Sequence, residues 1–295
     1  MENLIPTETV NPRTKKLDSS TPAQIARMIN EEDFNAARAV KKAAPAIAKA
    51  ITLAAETFLA GHKIIFMGAG TSGRLGVLEA AECVPTFGTK PSQIVGIMAG
   101  GKSAMFRAKE GAEDDAVQGG KDALKIAKKG DFIFGLTASG ITPYVLGALK
   151  AAKKAGCSTA LIACNAKADH SDADIFIHLP TGPEALNGST RMKAGSATKM
   201  ALNAITTGAM ARAGKAYGNL MVDVRPTNKK LVRRAIRLIR AVSGADEKTA
   251  EKLLKTSGQN VKTAIVMHKK GLNKTEAEKL LKRHKGFLKE TLGER

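Results

Sequence analysis

Apolar and polar positions change period along the chain, and the changes mark out its elements. From Thr21 to Leu59 the apolar residues recur three and four apart. "TPAQIARMINEED" opens with Thr at a capping position followed by Pro, and "AARAVKKAAPAIAKAITLAAETFLAG" carries the pattern to a glycine stop, which predicts two helices ahead of any strand. Short apolar runs follow at Lys63 to Met67, Ile94 to Met98, Phe132 to Thr137, Thr159 to Cys164 and Ile175 to Leu179, with helical patterns after Arg74, after Glu113 and from Pro143 to Ala155. Because the runs are apolar throughout instead of alternating, they predict a parallel sheet covered by helices on both faces. A small-residue helix from Lys193 to Arg212 comes next, then a basic amphipathic stretch. Beyond Ser243 lie three short helical segments broken at Ser257-Gly258 and Gly271. The fold class this predicts is α/β: N-terminal helices over 1–60, a parallel-sheet domain over 61–225, and a small C-terminal helical module over 226–295.

Composition narrows the class. At 295 residues, 43% of them hydrophobic and 25% charged, the chain has the balance of a soluble globular protein. The stretch "MENLIPTETVNP" shows no basic leader with an apolar core, and no apolar run reaches the roughly 18 residues of a membrane span. A cytoplasmic protein with no membrane partner is the expectation. Cys83, Cys157 and Cys164 are odd in number and lack ligand spacing, which argues against a disulfide frame or a structural zinc. The formal net charge of +20 is concentrated at one end, with 21 Lys and Arg against 8 Asp and Glu from Gly214 onward. Those charges sit at helical spacing among leucines, with Tyr217 and Phe287 the only aromatics to stack a base, so a solvated helix face is expected and nucleic acid is not.

Candidate chemistry gathers in three loops. The first, "GAGTSGR", follows the first strand and spaces its glycines as a dinucleotide loop does. The second strand, however, ends in Ala99, Gly100, Gly101 and Lys102, without the carboxylate that would grip a ribose. Hydroxyls at Thr71 and Ser72 among Gly70, Gly73 and Arg74, at a helix start, suit a compact phosphate monoester instead. The second loop, at the end of the third strand, repeats the construction with Ser139, Gly140 and Thr142 ahead of Pro143. The third places Ser189, Thr190, Arg191 and Lys193 before the small-residue helix. Arg191 and Lys193 are candidates either for an anionic ligand or for a subunit interface, and Glu79 for a salt bridge to a lysine. None of the five histidines shows metal spacing.

"GAGTSG" and "TASGITP" resemble the two phosphosugar-binding loops of sugar isomerase (SIS) domains. The longer strings "GAGTSGRLGVLEAAECVPTFG", "GGKSAMFRAKEGAEDD", "NGSTRMKAGSATKMALN" and "GNLMVDVRPTN", with the opening "TETVNPRTKKLDSSTPAQIARMINEED", are similar to the N-acetylmuramic acid 6-phosphate etherase family over nearly the whole chain. Val84 stands where that family commonly has proline, and Ile141 where arginine is frequent. The resemblance implies an SIS-type sheet domain, a C-terminal linking helix plus a small three-helix, UBA-like unit, a sugar-phosphate ligand and a homodimer. It also implies a reaction without metal or organic cofactor: ring opening, removal of the proton at carbon 2, loss of D-lactate from carbon 3 and addition of water. The two proton-transfer roles fall on Glu82 and Glu113. Glu82 lies near the end of an apolar helix stopped by Pro85, where burial and the helix terminus favour a protonated acid. Glu113 lies where a helical pattern begins, which favours a carboxylate base. A sugar-phosphate isomerase or a sugar-phosphate-sensing regulator on the same fold is the alternative.

Overall fold

The computed structural model describes residues 5–294. Its contacts divide the chain into two compact units. One comprises the described residues up to Ala81 with Pro91–Thr206, and the other comprises Glu82–Lys90 with Thr207 onward.

The first unit is built on a five-stranded parallel sheet. After α1 (Pro22–Lys42) and α2 (Ala44–Leu59) the elements run β1 (Ile64–Gly68), α3 (Gly70–Phe87), β2 (Ile94–Met98), α4 (Ala116–Ile126), β3 (Phe132–Leu136), α5 (Pro143–Lys154), β4 (Ser158–Ala163), β5 (Ile175–His178) and α6 (Lys193–Arg212). The five expected strands are present within a residue or so of their predicted ends. Thr21 caps α1 as read, its side chain accepting from the Gln24 N–H with Pro22 in the first turn.

The sheet order is β2-β1-β3-β4-β5. One face carries Ile65, Met67, Ile133 and Leu161 into a core with Val145 and Leu149 of α5. The other carries Phe66, Phe132 and Phe134, with ring centroids 4.2 Å apart for Phe132 and Phe134 and 5.3 Å for Phe66 and Phe134. Helix α2 packs against β1, β3 and β5, so both faces are covered, as uninterrupted apolar strands require. Burying side chains of this size stabilises each by about 1.5–3 kcal/mol, enough to fix the register on which the loops above the sheet depend.

Three readings are corrected. Pro85 does not stop α3, which runs on to Phe87. Glu113 does not open α4; Asp115 is the cap, its carboxylate accepting from the Gln118 N–H at 2.8 Å, and Glu113 stands two residues earlier in the preceding turn. Glu79, read as a partner for lysine, accepts hydrogen bonds from Asn203 Nδ2 and Thr206 Oγ1 of α6.

The second unit is helical. It contains α7 (Lys229–Ser243), α8 (Glu247–Thr256), α9 (Val261–Lys270), α10 (Lys274–Arg283) and α11 (Leu288–Leu292). Beyond Ser243 there are thus four helices where three segments were expected. Asn228, Asp246, Asn260 and Asn273 cap α7 to α10, each side chain accepting a backbone N–H three residues on. Leu238, Ile239, Leu254 and Ile265 form the centre of its core. Near it the buried Lys262 ammonium donates to the Gly214 and Gly286 carbonyls and to the Asp223 carboxylate. Burial pushes that lysine's pKa down, against the pull of Asp223.

Candidate active site

The strand order fixes where a ligand belongs. From β1 the chain leaves in one direction to β2 and then returns past β1 to β3, so the loops after β1 and β3 depart to opposite sides and leave a crevice between them. Ligands of open parallel sheets occupy that crevice, outside the carboxyl ends of the strands. Gly68 and Leu136, the last residues of β1 and β3, are register partners, so the two hydroxyl-bearing loops begin side by side.

The first loop is short because α3 starts at Gly70. A side chain on Gly73 would place its Cβ 2.6 Å from the Gly68 carbonyl oxygen and 2.6 Å from Met98 Cβ, so only glycine lets the helix begin this close to the strand. The first N–H groups of α3, which have no intrahelical partner, are thereby set at the crevice with the Thr71 and Ser72 side chains.

The second loop is held by its own hydroxyls. Thr137 Oγ1 lies 2.7 Å from Thr142 Oγ1 and 3.3 Å from Ser139 Oγ, and it accepts from the Gly140 N–H at 3.2 Å. The Asn165 side chain donates to the Ser139 carbonyl at 3.0 Å, pinning the loop from the end of β4.

A cavity of about 590 Å³ opens between these loops. Gly70, Thr71, Ser72, Ser139, Thr142 and Thr190 of the expected residues line it, together with Glu113. The Tyr144 N–H donates to the Glu113 carbonyl at 3.0 Å and ties the Glu113 turn to the start of α5. Ile141, 54% exposed, lines the same cavity with an apolar side chain.

Other expected residues do different work. Lys193 is 1% exposed and its ammonium pairs with the buried carboxylate of Glu32 on α1, which also pairs with Arg13. Burial pushes the Glu32 carboxyl up, but the hydrogen bonds from Arg13 and Lys193 outweigh it and hold its pKa at about 2. Arg74 spends its Nε and Nη2 on the carbonyls of Met105 and Ala104, 3.0 and 2.8 Å away, and so braces the 102–105 turn. Gly73, in the first turn of α3, and Gly140, in the second loop, are buried, and Ser189 and Arg191 do not border the cavity among the described residues. Glu82 is exposed, against the expectation that it is buried, and stands twelve residues into α3 from Gly70, a rise of about 18 Å along the helix.

Two acidic cavity residues escaped the sequence reading. Asp114 follows Glu113 along the wall. Glu8 arrives from a short helical turn, Pro6–Glu8, near the start of the chain. That segment is strapped to the stretch leading into the third loop by Asn11 Nδ2 on the Pro183 carbonyl at 3.2 Å and Thr14 Oγ1 on the Ala185 carbonyl at 2.8 Å. Glu184 between them caps α6, accepting the N–H groups of Lys193 and Ala194, while burial raises its pKa. Nothing local in "TETVNP" announces a partner some 170 residues away.

A second compartment of about 200 Å³ adjoins the first across Ala69, Gly70 and Glu113, and is bordered by Arg74, Met98, Lys109 and Glu110. Hydroxyl donors and helix-start amides suit a phosphate monoester, and a carboxylate at the junction of two compartments suits proton transfer beside it. No cluster of three or more metal-ligating side chains occurs among the described residues, and none of the described helices is long and apolar enough to cross a membrane.

Comparison with known proteins finds relatives of this chain. Residues 46–153 match the model of the glucokinase regulatory protein N-terminal SIS domain, and residues 218–261 that of the C-terminal lid domain of glucokinase regulatory protein. The chain is 46% identical over 287 residues to N-acetylmuramic acid 6-phosphate etherase of Serratia proteamaculans, covering 97% of each chain. It is 47% identical over 290 residues to the protein of that name from Clostridium botulinum, covering 98% of this chain and 96% of the relative. A solved structure of the Vibrio vulnificus NanR protein complexed with ManNAc-6P is similar over 71% of this chain and 68% of that one, at 16% identity and a TM-score of 0.41.

Proposed function

The chain belongs to the N-acetylmuramic acid 6-phosphate etherase family, and from that membership we propose that it cleaves the lactyl ether of N-acetylmuramic acid 6-phosphate to N-acetylglucosamine 6-phosphate and D-lactate, as a lyase that needs no cofactor. The observation that carries the reading is the cavity itself, where two hydroxyl loops and Glu113 meet at the switch in strand order.

The 6-phosphate sits among Thr71, Ser72, Ser139 and Thr142 and on the first N–H groups of α3, where a dianion is favoured by hydroxyl donors and the helix dipole. With the ring open, carbon 2 lies beside the aldehyde, and its proton passes to the Glu113 carboxylate. The electron pair left behind expels the ether oxygen from carbon 3, and that oxygen needs a proton to leave as lactate. Water then adds at carbon 3 and a proton returns to carbon 2, so the sum of the steps is substrate plus water giving the two products.

Glu82 is the acid the family resemblance names. An exposed Glu82, about three turns along α3 from the hydroxyl loop, fits a homodimer in which each cavity receives its acid from Glu82 of the partner subunit. Three buried cysteines, none of them in a disulfide, suit a reducing cytoplasm.

The test is incubation with N-acetylmuramic acid 6-phosphate in deuterated water. D-lactate release with one deuterium at carbon 2 of the product is the expected result. Isomerisation without lactate would overturn the reading in favour of a sugar-phosphate isomerase.

A further inference from the structure

We infer that the smaller compartment beside Glu113 receives the substituent on carbon 3 of the sugar, and that Lys109 binds its carboxylate, so that Lys109 sets the preference for substrate over product. This inference rests on the etherase reading and adds to it a specificity residue.

The geometry of the reaction gives the starting point. Carbon 2 and carbon 3 are bonded neighbours, so a base acting on carbon 2 stands next to whatever carbon 3 carries. Glu113 borders both compartments. The larger holds the hydroxyl loops suited to phosphate and sugar. The smaller, at about 200 Å³, is the space left on the other side of the base. The carbon 3 substituent of the substrate ends in a carboxylate, and the product has a hydroxyl there instead. A subsite that tells the two apart therefore needs a cation with an unspent donor.

Two cations border this compartment. Arg74 has already given Nε and Nη2 to the Met105 and Ala104 carbonyls. Lys109 forms no ion pair with any described carboxylate. Its stem passes close over Gly100, where an added Cβ would come within 3.0 Å of Lys109 Cδ and 3.3 Å of Lys109 Cβ. Gly100 has φ +82°, a conformation that side-chain-bearing residues rarely adopt, so the strand end is shaped to leave the lysine its path. Glu110 borders the compartment as well and opposes a second carboxylate. Lys109 offsets that repulsion, and a neutral side chain in its place would leave a bound lactyl carboxylate facing Glu110 and Glu113 with only the partly committed Arg74.

The test compares the full-length protein with its Lys109→Gln and Lys109→Arg variants. Four quantities are measured: kcat and KM for D-lactate release, and calorimetric Kd values for N-acetylglucosamine 6-phosphate and, in a Glu113→Gln background that consumes it only slowly, for N-acetylmuramic acid 6-phosphate. Lys109→Gln should raise KM for the substrate about tenfold or more, the scale of losing a charge-assisted hydrogen bond, with a smaller change in kcat. Lys109→Arg should recover most of that loss. Affinity for N-acetylglucosamine 6-phosphate should be the same in all three proteins. An unchanged KM in Lys109→Gln overturns the assignment. So does an equal weakening toward the product, which would place the sugar or its acetamido group, and not the carboxylate, at Lys109. Absence of lactate release from the unaltered protein would overturn the etherase reading instead. The two Kd values would still decide the role of Lys109, since the substrate would then survive the titration.

Discussion

Glu113 and Glu82 hold parallel roles in the proposed reaction, and single substitutions separate them. Glu113 lines the cavity and is exposed, so Glu113→Gln should leave folding intact while lowering lactate release by about 10²–10⁴, the range of general acid–base catalysis, and abolishing deuterium exchange at carbon 2 of N-acetylglucosamine 6-phosphate. Glu82→Gln should lower lactate release by a similar factor yet keep that exchange, because proton removal precedes departure of lactate. Exchange measured by NMR in both variants decides the assignment, and loss of exchange in Glu82→Gln would transfer the base role to it. The hydroxyls of the cavity were legible in the sequence because each follows an apolar run and stands among glycines, a combination with few structural uses. The basic residues were not. Lys193 reads as a ligand-facing cation until folding brings Glu32 against it from 161 residues away, and Arg74 until the Met105 and Ala104 carbonyls turn toward it.

At the scale of elements, that buried pair does structural work. Glu32 and Lys193 join α1 to the start of α6, and Arg13 ties the segment before α1 to the same carboxylate. Because the Glu32 pKa falls from 4.5 to about 2 on folding, the unfolded chain takes up the proton first as pH drops. The stabilisation is therefore complete above pH 4.5 and is lost between there and about pH 2, on the order of 3 kcal/mol in all. Glu32→Gln should flatten that part of the stability curve in urea titrations at stepped pH. It should also cost about 3–5 kcal/mol at neutral pH, since the Lys193 ammonium stays buried without its charge partner. An unchanged acid limb would assign the pair no part in stability. The strands were legible almost residue for residue, because a doubly covered sheet leaves an unbroken apolar run. The five residues of α11 are too few to show a helical period, and Pro85 gave a stop signal that α3 absorbs in its last turn.

At the scale of the whole molecule, a site shared between two copies predicts complementation. Glu82→Gln and Glu113→Gln are each inactive alone, but a mixed dimer joins the intact Glu113 cavity of one to the intact Glu82 of the other. Equal amounts allowed to exchange subunits should regain about a quarter of the unaltered activity, as half the dimers are mixed and each has one complete site. No recovery after verified exchange would place both carboxylates in one chain. The exposure of Glu82 was not legible in the sequence, since it depends on how α3 packs.

The strap that carries Glu8 has a practical consequence for anyone handling the protein. Ile5 and Glu8 border the cavity, and Asn11 and Thr14 fasten the same segment to the loop opposite. A purification tag joined upstream of Ile5 is therefore tethered at the rim of the substrate entrance, where its bulk and charge compete with an incoming phosphate.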